Sequence, residues 1–526
     1  MKEFGWVLDC KLYFFVAISS ILSLTSVDSN AQQIEWEQSH GWDWSNGGFE
    51  EFVDELIVGG DGGFVSIGQV YFPGIYNDLW IIKTNSSGEE EWQQTFGGGG
   101  KDMGHSIKNT SDGGYIVTGE TNTINGNDDP NNPDSHYYIV KFSEAGVLEW
   151  DRIYGGEATD VAYDGFQTAD GGYIVTGVSN SVGGDITNNH GGTDAWVIKL
   201  SEDGMLEWEK SLGGSNTDRL FKIILASDGG YILAGYSDSN DGDLTENSGD
   251  QDLWIVKLNT EGEIVWQNSL GGSSVDAAWS VQAISNGGYI LTGTTNSIDG
   301  DVTMNQGGND VWVLELSSTG DLVWQKTYGG EAEDRGREIQ LTSDGGYVLV
   351  ASSSSLGGDI QNPINTGSGY IDYWALKISS TGSIEWERLM GGSGQDVAAS
   401  IKETEDGGFI IGGSSNSSNG DISSPKGEFD FWLVKLQPVI LGVEKVSTNG
   451  LLGLYPNPAT DYLNIETDAD MIGANYSIFN SVGQLVISGK VNSENTSIEI
   501  KDFAKGFYVL QLQNTEGSLT APFVRE

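Results

Sequence analysis

The sequence predicts an all-β chain: a seven-bladed β-propeller closed by an N-terminal strand, then a small C-terminal β-sandwich. Near-copies of one stretch carry the first part, TDAWVIKLSEDGMLEWEKSLGG from Thr193, QDLWIVKLNTEGEIVWQNSLGG from Gln251 and NDVWVLELSSTGDLVWQKTYGG from Asn309, each starting 58 residues after the one before. A Gly-Gly-aromatic triplet counts the units, its aromatic falling at Phe64, Tyr115, Tyr173, Tyr231, Tyr289, Tyr347 and Phe409. Within the units apolar residues alternate with period two, as in strands with one better-buried face, and no helical period competes.

Taken in order, the chain opens with Lys2 and Lys11, an apolar run Leu12 to Val27 too short for a secure membrane span, and a small-x-small Ser29-Asn30-Ala31. That is the pattern of a secretory signal peptide over residues 1–31, cleaved after Ala31. Cys10, the chain's single cysteine, leaves with it, so disulfides cannot stabilise the mature chain in an oxidising exterior. No transmembrane span is expected in the mature chain. The formal net charge of −51 repels phosphate backbones and argues against nucleic acid as a partner. Such acidity fits either solubility in a salty exterior or divalent-cation binding.

Each unit reads as two hairpins. ILASDGGYILAGY (224–236) folds back at Asp-Gly-Gly, where glycine supplies the φ > 0 positions of a tight turn, and the stretch from Thr193 turns at Asp203-Gly204. Four short strands repeated seven times match propeller blades, each burying its faces against its neighbours. The last unit stops at FWLVKLQ (431–437) without its fourth strand, which stands instead at the mature N-terminus as Ile34-Glu35-Trp36. That offset is what a ring closed by its first strand requires. The propeller is therefore assigned residues 33–437, with 438–453 as a linker.

The pattern D-x-W-[VIL]-x-K-L, turn glycine, Trp, Gly-Gly, later Asp and D-G-G-Y-[IV]-[VL] resembles the bacterial β-propeller repeat family of secreted and surface proteins. The resemblance implies the fold and an exterior location, and it names no activity.

Beyond the linker, LYPNPATDYLNIET (454–467), YSIFNSVGQLVISGKV (476–491) and KGFYVLQLQ (505–513) alternate like strands between Asn, Gly and Ser turns, a β-sandwich over 454–526. Tyr455-Pro456-Asn457-Pro458, Gly483 within NSVGQLV, and Gly506-Phe507-Tyr508 resemble the C-terminal sorting domain of type IX secretion substrates in Bacteroidota. That resemblance implies two partners, the type IX outer-membrane translocon and a sortase-like peptidase. It implies as destination the medium or the outer-membrane surface, where lipopolysaccharide can anchor the cargo.

Catalytic constellations are scarce. His40, His105, His136 and His190 are scattered over different units without ligand or triad spacing. GGGGKD (97–102) fails as a phosphate loop, with Thr95 where the first glycine belongs and Asp102 where Ser or Thr would hold magnesium. Paired acids could serve glycoside hydrolysis. Yet Asp102, Asp160, Asp218, Asp276, Asp334 and Asp396 recur in register, as do Asp78, Asp194, Asp252, Asp310, Asp372 and Asp430, which suits residues that hold turns. His136 breaks that second series, with Tyr138 in place of Trp. A third series, Asp185, Asp243, Asp301, Asp359 and Asp421, follows glycine in loops joining the two hairpins. Carboxylate, amide and backbone oxygens at such spacing suit calcium, although none forms an EF-hand loop, and ordinary Asx turns are the alternative. The sequence thus favours a non-catalytic module binding glycan or protein, or an adhesion module. The alternative is an extracellular polysaccharide-active hydrolase or lyase with acids in the central channel.

Overall fold

The computed structural model describes residues 32–41, 50–71, 77–124, 127–128, 134–244, 247–361, 370–438, 452–467, 469–480, 485–514 and 518–525. The expected signal peptide over 1–31, most of the expected linker over 438–453 and Gly483 lie outside these residues.

Among the described residues, Ile34 to Leu436 forms seven four-stranded antiparallel sheets, a propeller-like all-β arrangement. Five are built from consecutive strands in chain order, and in the second sheet along the chain a short two-stranded ribbon, Thr123–Ile124 with Asn127–Asp128, intervenes between the second and third strands. In the seventh, Asp396–Glu403, Phe409–Ser415 and Asp430–Leu436 are joined by Ile34–His40, paired antiparallel with Glu37 opposite Val434. The strand that opens each sheet in chain order, here its lead strand, packs against the lead strand of the next. Asp396–Glu403 of the last sheet packs against Glu50–Val58 of the first.

Repeated residues hold repeated places. Trp80, Trp196, Trp254, Trp312, Trp374 and Trp432 are fully buried, as alternation requires. A buried indole N–H needs an acceptor. Trp196 donates to Glu209 Oε2 at 2.9 Å and Trp312 to Gln325 Oε1 at 2.9 Å, thirteen residues on. In the last sheet the acceptor comes from elsewhere in the chain, Trp432 donating to Glu37 of the N-terminal strand at 2.9 Å.

The second Trp of each unit is only partly covered by its own sheet. Except for the buried Trp386, it lies under the turn glycine of the neighbouring one, as Trp92 does under Gly146 and Trp150 under Gly204. Trp36 lies under Gly88, so the N-terminal strand makes this contact onto the first sheet.

Six of the seven lead strands begin at a register Asp that ties that end of the sheet, the first lead strand having Glu51 at this position. Asp218 accepts from the Gly214 N–H at 2.7 Å, from Ser239 Oγ at 2.9 Å and from Ser237 Oγ, and Asp334 and Asp396 are held in the same way. Three hydrogen bonds to one buried carboxylate offset much of its desolvation.

The C-terminal residues form a three-stranded sheet (Leu452–Tyr455, Tyr462–Thr467, Asn495–Glu499) and a four-stranded sheet (Leu485–Lys490, Asn475–Asn480, Gly506–Gln513, Ser518–Arg525). The two share one core that includes Leu463, Ile465, Ile478, Leu510 and Phe523.

Candidate functional site

All seven lead strands carry a β-bulge at the same place. Pairing with the second strand slips between Val53 and Glu55, Gly104 and Ser106, Ala162 and Asp164, Leu220 and Lys222, Ala278 and Ser280, Gly336 and Glu338, and Ala398 and Ser400. A bulge leaves one residue unpaired and re-aims its side chain. In six sheets a Cβ at Gly68, Gly119, Gly177, Gly235, Gly293 or Gly413 on the second strand would stand 1.8–2.2 Å from a lead-strand carbonyl oxygen, so glycine permits the close approach there, while in the sixth sheet Ala351 holds the same place opposite Gly336.

The residues so aimed are Asp54, His105, Tyr163, Phe221, Trp279, Arg337 and Ala399, seven different side chains at seven equivalent positions. They line a pocket of about 590 Å³ to which every lead strand contributes. Sequence reading missed this ring. Its signal was present, because the third residue after each register Asp changes chemical class from unit to unit while its neighbours two on stay largely aliphatic.

Three consecutive positions make an aromatic arc. Phe221 stacks on Trp279 with centroids 4.6 Å apart, Tyr163 meets Phe221 edge-on at 5.0 Å, and Tyr236 of a second strand lies 5.7 Å from Phe221. The Arg337 guanidinium sits over Trp279 at 5.8 Å. Polar groups lie on the remaining arc. His105 Nδ1 is 3.5 Å from Asp54 Oδ2, and its Nε2 is 3.5 Å from Glu120 Oε1. Burial alone would lower the imidazole's pKa, but the flanking Asp54 and Glu120 outweigh it and hold it up at about 9.

One residue deeper, the pocket floor is a buried ionic tier. Lys108 Nζ reaches Glu55 at 2.6 Å and Asp164 at 3.2 Å, and Lys222 reaches Glu55 at 2.9 Å. Ser106 Oγ lies 2.6 Å from Glu55 Oε2 and 2.6 Å from Asp164 Oδ1, with its one proton donated to either acid. Glu338 is held by Lys402, by Ser400 Oγ at 2.7 Å and by the Ile401 N–H at 2.8 Å. Burial would raise the Glu55 carboxyl, yet Lys108, Lys222 and Lys402 hold it well below the usual range.

The five Gly-Asp carboxylates stand elsewhere, one per sheet and half-buried. Each makes a two-point clasp on a glycine about thirty residues earlier. Asp243 N–H donates to Gly213 O at 3.0 Å and its Oδ2 accepts from the Gly213 N–H at 3.1 Å, with the same pair at Asp185, Asp301, Asp359 and Asp421. Among the described residues no three His, Cys, Asp or Glu side chains gather as a metal-binding group. His136, the break in the second Asp series, is buried with Nδ1 3.5 Å from Asp160 Oδ2, on a strand edge away from the pocket.

In the tail, Tyr455, Pro456, Asn457 and Pro458 form an exposed strip beside the last strand. Asn457 Oδ1 accepts from the Val524 N–H at 2.9 Å and the Tyr455 hydroxyl donates to Asn495 Oδ1 at 3.0 Å. Gly506 opens its strand at φ +147°, and Tyr508 is core, stacked on Phe523 with its hydroxyl donating to Ala504 O at 2.8 Å.

Residues 453–526 match the family model of the secretion system C-terminal sorting domain. This tail is of the type IX kind and marks the chain for export to the cell surface or the medium. Among curated proteins the chain is similar to the regulatory protein FlaEY of Caulobacter vibrioides, 26% identical over 199 residues, which are 35% of this chain and 21% of that protein. It is also similar to β-agarase A of Zobellia galactanivorans, 39% identical over 66 residues, 12% of each chain. The chain thus matches well under two thirds of either relative. Among solved structures, PorZ, a surface component of the type IX secretion system of Porphyromonas gingivalis, aligns with 90% of this chain and 59% of its own at 11% identity and a TM-score of 0.39. Among the described residues no helix is long and apolar enough to cross a membrane.

Proposed function

We propose that the chain is a non-catalytic ligand-binding protein of the cell surface, exported by type IX secretion, whose ligand sits in the pocket ringed by the seven bulges. The observation that carries this is the break in symmetry. A scaffold repeated in register for stability has no need of seven different solvent-accessible side chains at one equivalent position, whereas a binding pocket does.

In this reading residues 1–31 are a signal peptide and 33–437 a closed seven-bladed β-propeller. Residues 438–453 form a linker, and 454–526 form a β-sandwich whose Tyr455–Pro458 strip, with Gly483, Gly506 and Tyr508, addresses the translocon and the sortase-like peptidase. Ring closure is supported by the pairing of Ile34–His40 with Asp430–Leu436 and by the packing of the last lead strand on the first. For calcium, the proposal is a set of five separate carboxylates, Asp185, Asp243, Asp301, Asp359 and Asp421, each offering the oxygen that its backbone clasp does not use.

The chemistry of the pocket favours binding over hydrolysis or elimination. A general acid needs a carboxyl held up, and Glu55 is pushed down by three lysines. An eliminating base must be free to take a proton, and His105 with a pKa near 9 already carries one at neutral pH. The test is an array of glycans and surface proteins probed with the full secreted chain beside a polysaccharide-degradation screen. Binding that W279A abolishes in a folded protein supports the reading, and turnover of a polysaccharide overturns it.

A further inference from the structure

We propose that the ligand is an acidic oligosaccharide, a sugar ring bearing a carboxylate or sulfate, held by Arg219 and Arg337 along the aromatic arc. This rests on the binding reading above and adds the class of ligand.

The argument begins with charge pairing. The chain has 25 Lys and Arg against 76 Asp and Glu, so a basic side chain without an acid beside it is conspicuous. In the pocket every other charge is answered: Glu55 by Lys108 and Lys222, Glu338 by Lys402, and Asp54 by His105. Arg219 and Arg337 make no ion pair among the described residues, although Arg219 hydrogen-bonds the Tyr163 hydroxyl and Asp54 lies within Coulombic reach of Arg337. Among the described residues the ion pairs made by arginine come down to Arg335 with Glu333 at 3.2 Å, outside the pocket. The Nε of both Arg219 and Arg337 is buried and has no hydrogen-bond partner in the protein. Two guanidinium groups left with unused donors in a strongly acidic molecule are a recognition site for an anion, since the planar fork matches carboxylate and sulfate oxygens in pairs.

The shape of the pocket supplies the second half. Its walls divide into an aromatic arc with the two arginines and a polar arc with Asp54, His105, Gln69 and Ser414. A sugar ring is divided likewise, with an apolar C–H face for Trp279 and Phe221 and hydroxyls for the opposite side. A flat aromatic acid would satisfy the arginines and leave the polar arc without partners, which costs affinity. The pocket's 590 Å³ is within the range of small-ligand sites.

Calorimetric titration of the full secreted chain with trigalacturonate, a sulfated galactotriose, neutral galactotriose and benzoate tests this. Either acidic trisaccharide should bind at least tenfold more tightly than the neutral one, and which of the two binds better identifies the anion. R337A and R219A should each lose tenfold or more, R337K should recover only part of that loss, and R335A should bind as the parent does. Should R337A fail to fold, R337K together with a marked loss of affinity at high salt stands in its place. Equal binding of the neutral trisaccharide, lost in W279A and untouched by R337A, overturns the acidic class and leaves the binding reading intact. Benzoate binding as tightly as the trisaccharides overturns the sugar. Silence toward all four probes in a folded protein overturns the inference, and the array then decides the broader reading separately.

Discussion

The contact between Trp36 and Gly88 puts ring closure within reach of a stability measurement. A Cβ at Gly88 would stand 2.5 Å from Trp36 Cζ3 and 2.7 Å from Cη2, and its φ is +79°. Two costs therefore add in G88A. The left-handed backbone costs an alanine about 1–2 kcal/mol, and forcing the indole aside costs about 1–3 kcal/mol more. Gly345 separates them, because it has nearly the same turn conformation, φ +87°, with open space around its Cβ. G345A should thus lose about 1–2 kcal/mol and G88A about 2–5 kcal/mol. W36A destabilises by itself but removes the obstacle, so G88A made in the W36A background should cost no more than G345A does. Denaturant unfolding of the four-protein cycle should give a favourable coupling of about 1–3 kcal/mol. G204A, whose Cβ would stand 2.9 Å from Trp150, reports the same contact at a junction that does not involve the N-terminal strand. A coupling near zero at Trp36 and Gly88, beside a clear one at Trp150 and Gly204, would mean that the N-terminal strand does not close the array.

Four further outcomes are expected. Folding raises the His105 pKa from 6.5 to about 9, so the stabilisation by Asp54 and Glu120 is complete below about pH 6.5 and lost as pH rises through about 9; H105Q should flatten the alkaline fall of Tm, by at most about 3 kcal/mol in stability. Asp310 is pushed up to about 6 by burial and then by Asp334 and Asp359, so its contribution is full below about pH 3.8 and lost through about 6. D310N should therefore gain about 1–3 kcal/mol at pH 7.5 and little near pH 4 in parallel melts. At fixed ionic strength calcium should raise the parent's Tm saturably and leave the fivefold Asp-to-Asn variant of Asp185, Asp243, Asp301, Asp359 and Asp421 unmoved, whereas equal responses reduce those carboxylates to backbone clasps. Deleting residues 453–526 should strand a folded remainder in the periplasm, and undiminished surface labelling of the truncated protein would contradict the sorting role.

The strands, their turns and the buried tryptophans were legible because each is repeated and each obeys alternation. Trp196, Trp254 and Trp312 occupy the same phase of the same strand, and a period of 58 residues makes that visible without coordinates. The register Asp residues were legible as turn-holders for the same reason. The pocket was not. A bulge shifts the phase of alternation by one residue, so a reading that counts inward and outward positions loses track beyond Ala162 or Leu220, where the pairing slips. The glycine opposite in six of the sheets was in plain view as part of the repeat, but its meaning is steric, a carbonyl of the neighbouring strand close to where its Cβ would stand, and that distance is not written in one strand alone. The pairing of Glu55 with Lys222 was hidden for a related reason, since it joins residues 167 apart whose proximity depends on how the sheets are arranged.

The same geometry explains why this one position is free to vary. Three residues before each bulge but the first the register Asp is fixed by its backbone and hydroxyl partners, and two residues after it the chain returns to the core at Ile107, Ile223 or Ile339. Between those anchors the bulged residue pairs with no strand and packs on no repeated neighbour, so changing it disturbs little of what holds the sheet. The tier beneath is different. Glu55, Asp164 and Glu338 are buried with Lys222 partly exposed beside them, and removing the partner of a buried acid leaves an unanswered charge, a loss of about 3–5 kcal/mol. Stability is thus concentrated one residue away from specificity. In the binding reading proposed above, exchanges among Asp54, His105, Tyr163, Phe221, Trp279, Arg337 and Ala399 would re-specify the ligand while leaving the ionic tier in place.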